Sequence, residues 1–235
     1  MSNAPTRYEA CPVLAAWDET PSLRAVRVSL GSLAADHSLP GQVVKVRTPS
    51  GEAYFALASA PSGGATADLL VKRGGRIADE VIAAAAPGAS LDVSAPFGKG
   101  FPIGGAEGRD VLLFAAGSGI APIRALLQHV LARRDRFRRV TLFYGQRRGG
   151  DFAYQGEHLD WERHGVRVVL CPSDAEEAWP GVRGRVQEVA RALRLGGADP
   201  AGSEAYVCGM TAMVNDVKAT LREAGVPPER VHLNF

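Results

Sequence analysis

From Arg109 onward the chain alternates short apolar runs with amphipathic stretches, and this alternation limits the available folds more than any other feature. The runs "DVLLFAA", "RVTLFYG", "VRVVLCP", "EAYVCGM" and "RVHLNF" read as strands. Between them, Pro122–Arg134, the residues around Gly156–His164, Val186–Leu195 and Thr211–Ala224 read as helices. Strands joined through helices lie parallel, because parallel neighbours need a crossover connection. The pattern predicts an α/β doubly wound sheet of about five parallel strands.

Upstream, the period is shorter. "LRAVRVSL" (Leu23–Leu30), "GQVVKVR" (Gly41–Arg47), "AYFALAS" (Ala53–Ser59), "ADLLVKR" (Ala67–Arg73) and "SLDVSAP" (Ser90–Pro96) are short apolar runs bounded by Pro, Gly and Ser. Such spacing predicts a small antiparallel β-barrel or sandwich. One helix interrupts it, opening at Arg76 after Gly74-Gly75 and stopping at Pro87-Gly88. At 235 residues the chain has room for two compact domains. The glycines and proline of "FGKGFPIGGAEGR" (Phe97–Arg109) mark the joint, so residues 1–104 are expected to form the barrel and residues 105–235 the α/β domain.

Composition excludes several classes. A net charge of +2, with 22% charged residues, gives no case for nucleic acid or an anionic membrane as partner. No apolar run approaches the roughly 20 residues of a membrane span. "MSNAPTRYEACP" has no basic region followed by an apolar stretch, so no secretory signal is expected. Cys11, Cys171 and Cys208 are too few and scattered for a disulfide framework, a zinc site or an iron–sulfur centre. The expectation is a cytoplasmic protein with reduced thiols and no metal.

The sharpest local motif is "FAAGSGIAPIRALL" (Phe114–Leu127), an apolar strand, a glycine turn and a helix. Gly117 and Gly119 let the backbone turn tightly and approach a ligand. The helix behind them points unpaired N–H groups and its positive dipole end at that ligand, which favours a diphosphate. Pro122 fits the first helical turn, where no intrahelical bond is lost. A tight structural turn would use the same residues. The next strand ends in "YGQRR" (Tyr144–Arg148), without the acidic residue that an ordinary dehydrogenase fold places there for ribose; its arginines read equally as a solvated loop.

Taken together, these segments resemble the ferredoxin–NADP reductase superfamily of flavin-dependent oxidoreductases, over nearly the whole chain. "LPGQVVKVR" resembles its P-G-Q strand, "SAPFGKGF" (Ser94–Phe101) its G-P-F-G turn, "AAGSGIAPIRALL" its G-x-G-x-x-P turn and "LFYGQRR" its Y-G-x-R strand end. "YVCGMTAMVNDVKATLREAGVPPERVHLNF" resembles its C-terminal segment. "YFALAS" and the final "NF" are similar to a bacterial and plastid branch of that superfamily. The resemblance implies an NAD(P)H-dependent flavin oxidoreductase, with FAD (FMN the alternative) on the barrel and the nicotinamide nucleotide on the α/β domain. Electrons would pass to an acceptor of unidentified kind, protein or small molecule.

The resemblance also assigns residues. Gly117, Ser118, Gly119 and Pro122 would surround the nucleotide diphosphate. Cys208, Gly209 and Met210 would lie at the nicotinamide, and Phe235 would stack on the flavin, so Cys208 and Phe235 are the implied catalytic pair. By burial alone, Cys208 reads as a strand-end core residue. On the flavin strand, Phe55, Ala56, Leu57 and Ser59 match the R-x-Y-S region, with Ala53 at the arginine, Phe55 at the ring-stacking tyrosine and Ala56 at the serine. Lys72, Gly74, Gly75 and Arg76 would face the flavin phosphates, with Ala78 where a hydroxyl residue is expected. These departures predict weaker flavin binding; one lost charge-assisted hydrogen bond is worth roughly 1.5–3 kcal/mol. Arg147 and Arg148 favour NADPH, whereas Asp174, Glu176 and Glu177 in "CPSDAEEAW" favour NADH, toward which the balance tips. A flavin reductase that treats flavin as a diffusing substrate, and a non-catalytic nucleotide-sensing or interaction subunit, are the competing expectations.

Overall fold

The computed structural model describes residues 6–234. Its first layer is a six-stranded antiparallel sheet of β1 (Tyr8–Thr20), β2 (Leu23–Ser29), β3 (Val43–Thr48), β4 (Gly51–Ala56), β5 (Thr66–Lys72) and β6 (Ser90–Ser94), in the order β4-β3-β6-β1-β2-β5. The edges meet at an antiparallel bridge between Leu57 and Leu69, which curls the sheet into a barrel. Helix α1 (Arg76–Ala84) follows β5, and Val81 and Ala85 join the barrel core with Val26, Val44, Val46, Leu69 and Val93.

Strand β1 has no counterpart in the periodicity reading. "YEACPVLAAWDET" is rich in alanine and carries Pro12 near its middle, both weak strand signals. The strand forms because it serves two partners in turn. Tyr8–Pro12 pairs with β6, and Val13–Thr20 pairs with β2, with register shifts at Val13/Ala15 and Asp18/Thr20. Pro12 sits where the partner changes.

The second layer is a five-stranded parallel sheet, order β11-β10-β7-β8-β9, built from β7 (Asp110–Ala116), β8 (Val140–Gln146), β9 (Val166–Pro172), β10 (Ser203–Cys208) and β11 (Val231–Leu233). Helices α2 (Ile120–Leu131) and α3 (Gln155–Arg163) pack on one face through Ile123, Leu126, Leu127 and Trp161. On the other, α4 (Val186–Ala192) and α5 (Thr211–Glu223) pack through Val186, Val189, Val217 and Leu221. The two-domain, barrel-plus-doubly-wound architecture is that expected from the sequence.

The two layers are not independently cored. Leu23, Ala25, Ala58 and Leu70 of the barrel belong to the same buried cluster as the α2 and α3 face of the parallel sheet. The connecting segment is anchored as well: Phe101 is fully buried edge-on to Tyr206 at 5.5 Å, and the Tyr206 hydroxyl donates to the Pro102 carbonyl at 3.0 Å. Removing the Phe101 ring opens a cavity at this joint. Phe101→Ala is expected to cost about 3–5 kcal/mol in urea unfolding, with both halves losing structure in a single transition.

Candidate functional site

The chain leaves β7 through α2 on one face, whereas it leaves β10 through α5 on the other, although β7 and β10 are neighbours. Their C-terminal ends therefore flank the point where the strand order reverses, the place where open α/β sheets form a ligand crevice. Gly117, Ser118 and Gly119 form a short 3-10 turn there, partly exposed, directly ahead of α2. Gly117 has φ +59, which side chains rarely adopt. Gly119 is held by contact instead: a Cβ there would lie 2.5 Å from the Cys208 carbonyl oxygen.

Around this turn the packing is polar in only a few places. Pro122 is buried in the first turn of α2, and that turn has no acidic residue to compete for its N–H groups. The buried Tyr144 hydroxyl accepts from Gln146 Nε2 (2.8 Å) and the Ala153 amide (3.2 Å), and reaches the Gly117 carbonyl at 3.5 Å. Burial pushes the Tyr144 phenol up to about 12, so it stays protonated and able to donate. Cys208 ends β10 at 9% exposure, and burial pushes its thiol up to about 12 as well. It is a small neutral side chain at physiological pH, not a thiolate. Gly209 packs against Met213 and Ala116, whereas Met210 is 71% exposed at the mouth of the crevice.

At the outer rim, the ends of β8 and β9 place Arg147 and Asp174 together. The Arg147 Nε lies 3.4 Å from Asp174 Oδ2, and the Asp174 amide donates to the Arg147 carbonyl at 2.8 Å. The charges that pull in opposite directions in the sequence form one exposed ion pair. Among the described residues no group of His, Cys, Asp and Glu is placed to hold a metal, and no helix is long and apolar enough to cross a membrane.

On the barrel side the exposed aromatic of the expected flavin strand is Tyr54 and not Phe55. Phe55 lies in the barrel core at 9% exposure, and Leu57 is fully buried. Tyr54 is the outward aromatic at 64% exposure, edge-on to Phe97 with Lys45 over its ring. Side chains alternate between the two faces of a strand, and matching motifs by letters does not say which face is outward. Ala56 is half-buried, and the Ser59 hydroxyl accepts the Asp68 amide at 3.0 Å.

The phosphate-facing elements are also modified. Gly74 and Gly75 precede α1, but the Gly74 amide donates to the Asp79 carboxylate at 3.0 Å. A negative charge thus already sits at the helix end that would receive a phosphate. Lys72 is exposed, Arg73 pairs with Asp18 at 2.7 Å, and Arg76 reaches the Ser50 carbonyl at 3.4 Å. At the C-terminus, Asn234 is 5% exposed, donates to the Gly41 carbonyl of the P-G-Q segment at 3.4 Å, and leaves its Oδ1 buried without a partner. Phe235 lies outside the described residues.

The oxidoreductase NAD-binding domain family matches residues 113–219, which run from β7 into α5. The chain is 28% identical over 201 residues to the sulfhydrogenase 1 subunit gamma of Pyrococcus furiosus, covering 83% of this chain and 67% of that protein. It is 31% identical over 204 residues to the xylene/toluene monooxygenase electron transfer component of Pseudomonas putida, covering 82% of this chain and 55% of that one. A ferredoxin NADP+ reductase from Neisseria gonorrhoeae, solved with bound FAD and NADP, superposes with a TM-score of 0.81 over 96% of this chain and 97% of its own, at 20% identity. The second half of the chain thus matches the oxidoreductase NAD-binding domain family, and the whole chain has the fold of that ferredoxin NADP+ reductase. The chain spans roughly half to two thirds of the length of the curated relatives just named.

The NAD-binding match includes the glycine turn and Pro122, which stands where the dehydrogenase fingerprint has its third glycine. At the Gly119–Cys208 contact the turn and the end of β10 form one continuous floor. A methyl group at Gly119 must push that floor apart. Gly119→Ala is expected to weaken NADH and NADPH binding at least about tenfold in titration calorimetry, while the barrel stays folded.

Proposed function

We propose that this chain is an NAD(P)H-dependent flavin oxidoreductase that takes hydride from a nicotinamide nucleotide and passes electrons to a separate acceptor. The observation that carries this reading is the crevice at the β7/β10 switch point, floored by Gly117, Gly119 and Cys208 and rigidly joined to a barrel through one core. The acceptor in this reading is another protein or a small molecule. The relatives named as an electron transfer component and as a sulfhydrogenase subunit favour a protein partner.

In this scheme the N-terminus of α2 and the turn before it hold the diphosphate, since unpaired N–H groups and the helix dipole favour anions. Cys208 and Gly209 supply a low, uncharged floor for the nicotinamide. Flavin, when bound, supplies the hydride-accepting ring, and the protein needs no general base for the transfer. What the chain contributes is approach, alignment and exclusion of water. The ring region suits a flavin: Tyr54 and Phe97 offer aromatic surface, and the Asn234 Oδ1 is a buried acceptor without a partner. The phosphate region suits it less, because Asp79 occupies the end of α1.

That mismatch favours a second reading, a reductase that binds flavin as an exchanging substrate. The spectrum of freshly purified protein separates the two. A near-stoichiometric flavin band supports the bound cofactor; colourless protein that oxidises NADH only with added flavin supports the exchanging substrate. Colourless protein inactive with NADH, NADPH, FAD and FMN refutes both. Asp174 is proposed to favour NADH, by repelling a 2′-phosphate and by engaging Arg147. Asp174→Arg is expected to move the ratio of kcat/KM toward NADPH at least about tenfold; an unchanged ratio rejects this role.

A further inference from the structure

Helix α2 begins at the dinucleotide turn, and its apolar second turn should carry only core residues. Yet Arg124 stands in it, at 6% exposure. Its guanidinium is fully engaged on both sides of the domain seam. Toward the barrel, Nη1 donates to the Ala58 carbonyl at 2.7 Å and to Asp68 Oδ2 at 3.2 Å. Within the α/β domain, Nε and Nη2 grip the Glu157 carboxylate at 3.0 and 2.7 Å, and the plane lies 4.5 Å from the Tyr154 ring centroid. Arg27 binds Asp68 from the other side at 2.7 Å, so the carboxylate stays neutralised.

Four residues on, one helical turn away on the same face, Gln128 Oε1 accepts the Ala60 amide at 3.0 Å. Arg124 and Gln128 thus hold the segment Ala58–Ala60, the chain leaving β4. Tyr154 completes the seam: it is held at φ 59, and its amide donates to the barrel carboxylate Glu19 at 2.7 Å. A left-handed tyrosine is costly and persists only where its surroundings impose it.

We infer that Arg124, with Gln128, is a positioning residue: it joins the nucleotide turn at the start of α2 to the flavin-side exit of β4 as one rigid unit. This rests on the oxidoreductase reading above, because only then do both ends carry reacting rings. The distance between hydride donor and acceptor is then set by α2 and not by the ligands. A buried guanidinium with bidentate and carbonyl partners suits this role, since lysine cannot reproduce the fork.

The test compares wild type with Arg124→Met, Arg124→Lys and Gln128→Ala by two measurements. In amide hydrogen exchange of the protein as purified, Arg124→Met is expected to accelerate Ala60 and Tyr154 at least about tenfold, with β7, β8 and β3 amides unchanged. In anaerobic stopped-flow reduction of flavin by NADH, the rate at saturating NADH is expected to fall at least about tenfold, with the NADH half-saturation within about twofold. Arg124→Lys should recover only part of this, and Gln128→Ala should move both readouts the same way by less. If Arg124→Met does not fold, the other two variants carry the test. Uniform acceleration of all amides, or a higher half-saturation at unchanged limiting rate, overturns the inference. Wild type that never reduces flavin removes the oxidoreductase reading and with it the positioning role; the exchange pattern still reports whether Arg124 holds the seam.

Discussion

At Gly119 the chain passes so close to the Cys208 carbonyl that a methyl group would sit 2.5 Å from the oxygen. That contact depends on β7 and β10 being neighbours, which in turn depends on the chain reversing direction across the sheet after β9. Everything proposed for the nucleotide side follows from it. The turn, the start of α2 and the end of β10 form one surface only because no side chain intervenes. Tyr144 props that surface from beneath, with a hydroxyl that burial keeps protonated.

The barrel would be an ordinary antiparallel scaffold without the seam. Its outer residues Leu23, Ala25 and Leu70 are apolar because they face α2 and α3 and not water. Several buried polar groups at this boundary are paired, most of them across it, which offsets their desolvation penalty. Glu19 meets the Tyr154 amide, Asp68 meets Arg124 and Arg27, and Gln128 meets the Ala60 amide. Two domains joined by a shared core and paired charges form one body, in which helix α2 reaches both ligand sides.

Parts of this were legible in the residues. The apolar runs separated by helices announced the parallel sheet, and Gly-x-Gly-x-x-Pro announced the turn, because strand burial and backbone freedom are local properties. Strand β1 was not legible, since alanines and Pro12 give no alternation and its two partners lie far along the chain. Arg124 had a visible signal, a charge inside the apolar run "IAPIRALL", but a lone arginine does not name its partners. Arg147 and Asp174 read as opposed signals until the ends of β8 and β9 brought them within 3.4 Å.

By itself, the sequence determined the antiparallel first half, the alternation of parallel strands and helices in the second, and the glycine turn, all set by the spacing of neighbouring residues. Tertiary structure alone decided which face of β4 looks outward, placing Tyr54 and not Phe55 at the surface. It also decided that Asp79 covers the end of α1 and that Arg124 spans the seam. The reason is physical: a strand's register and a buried charge's partners are settled by what packs against them, and that information lies in residues distant along the chain.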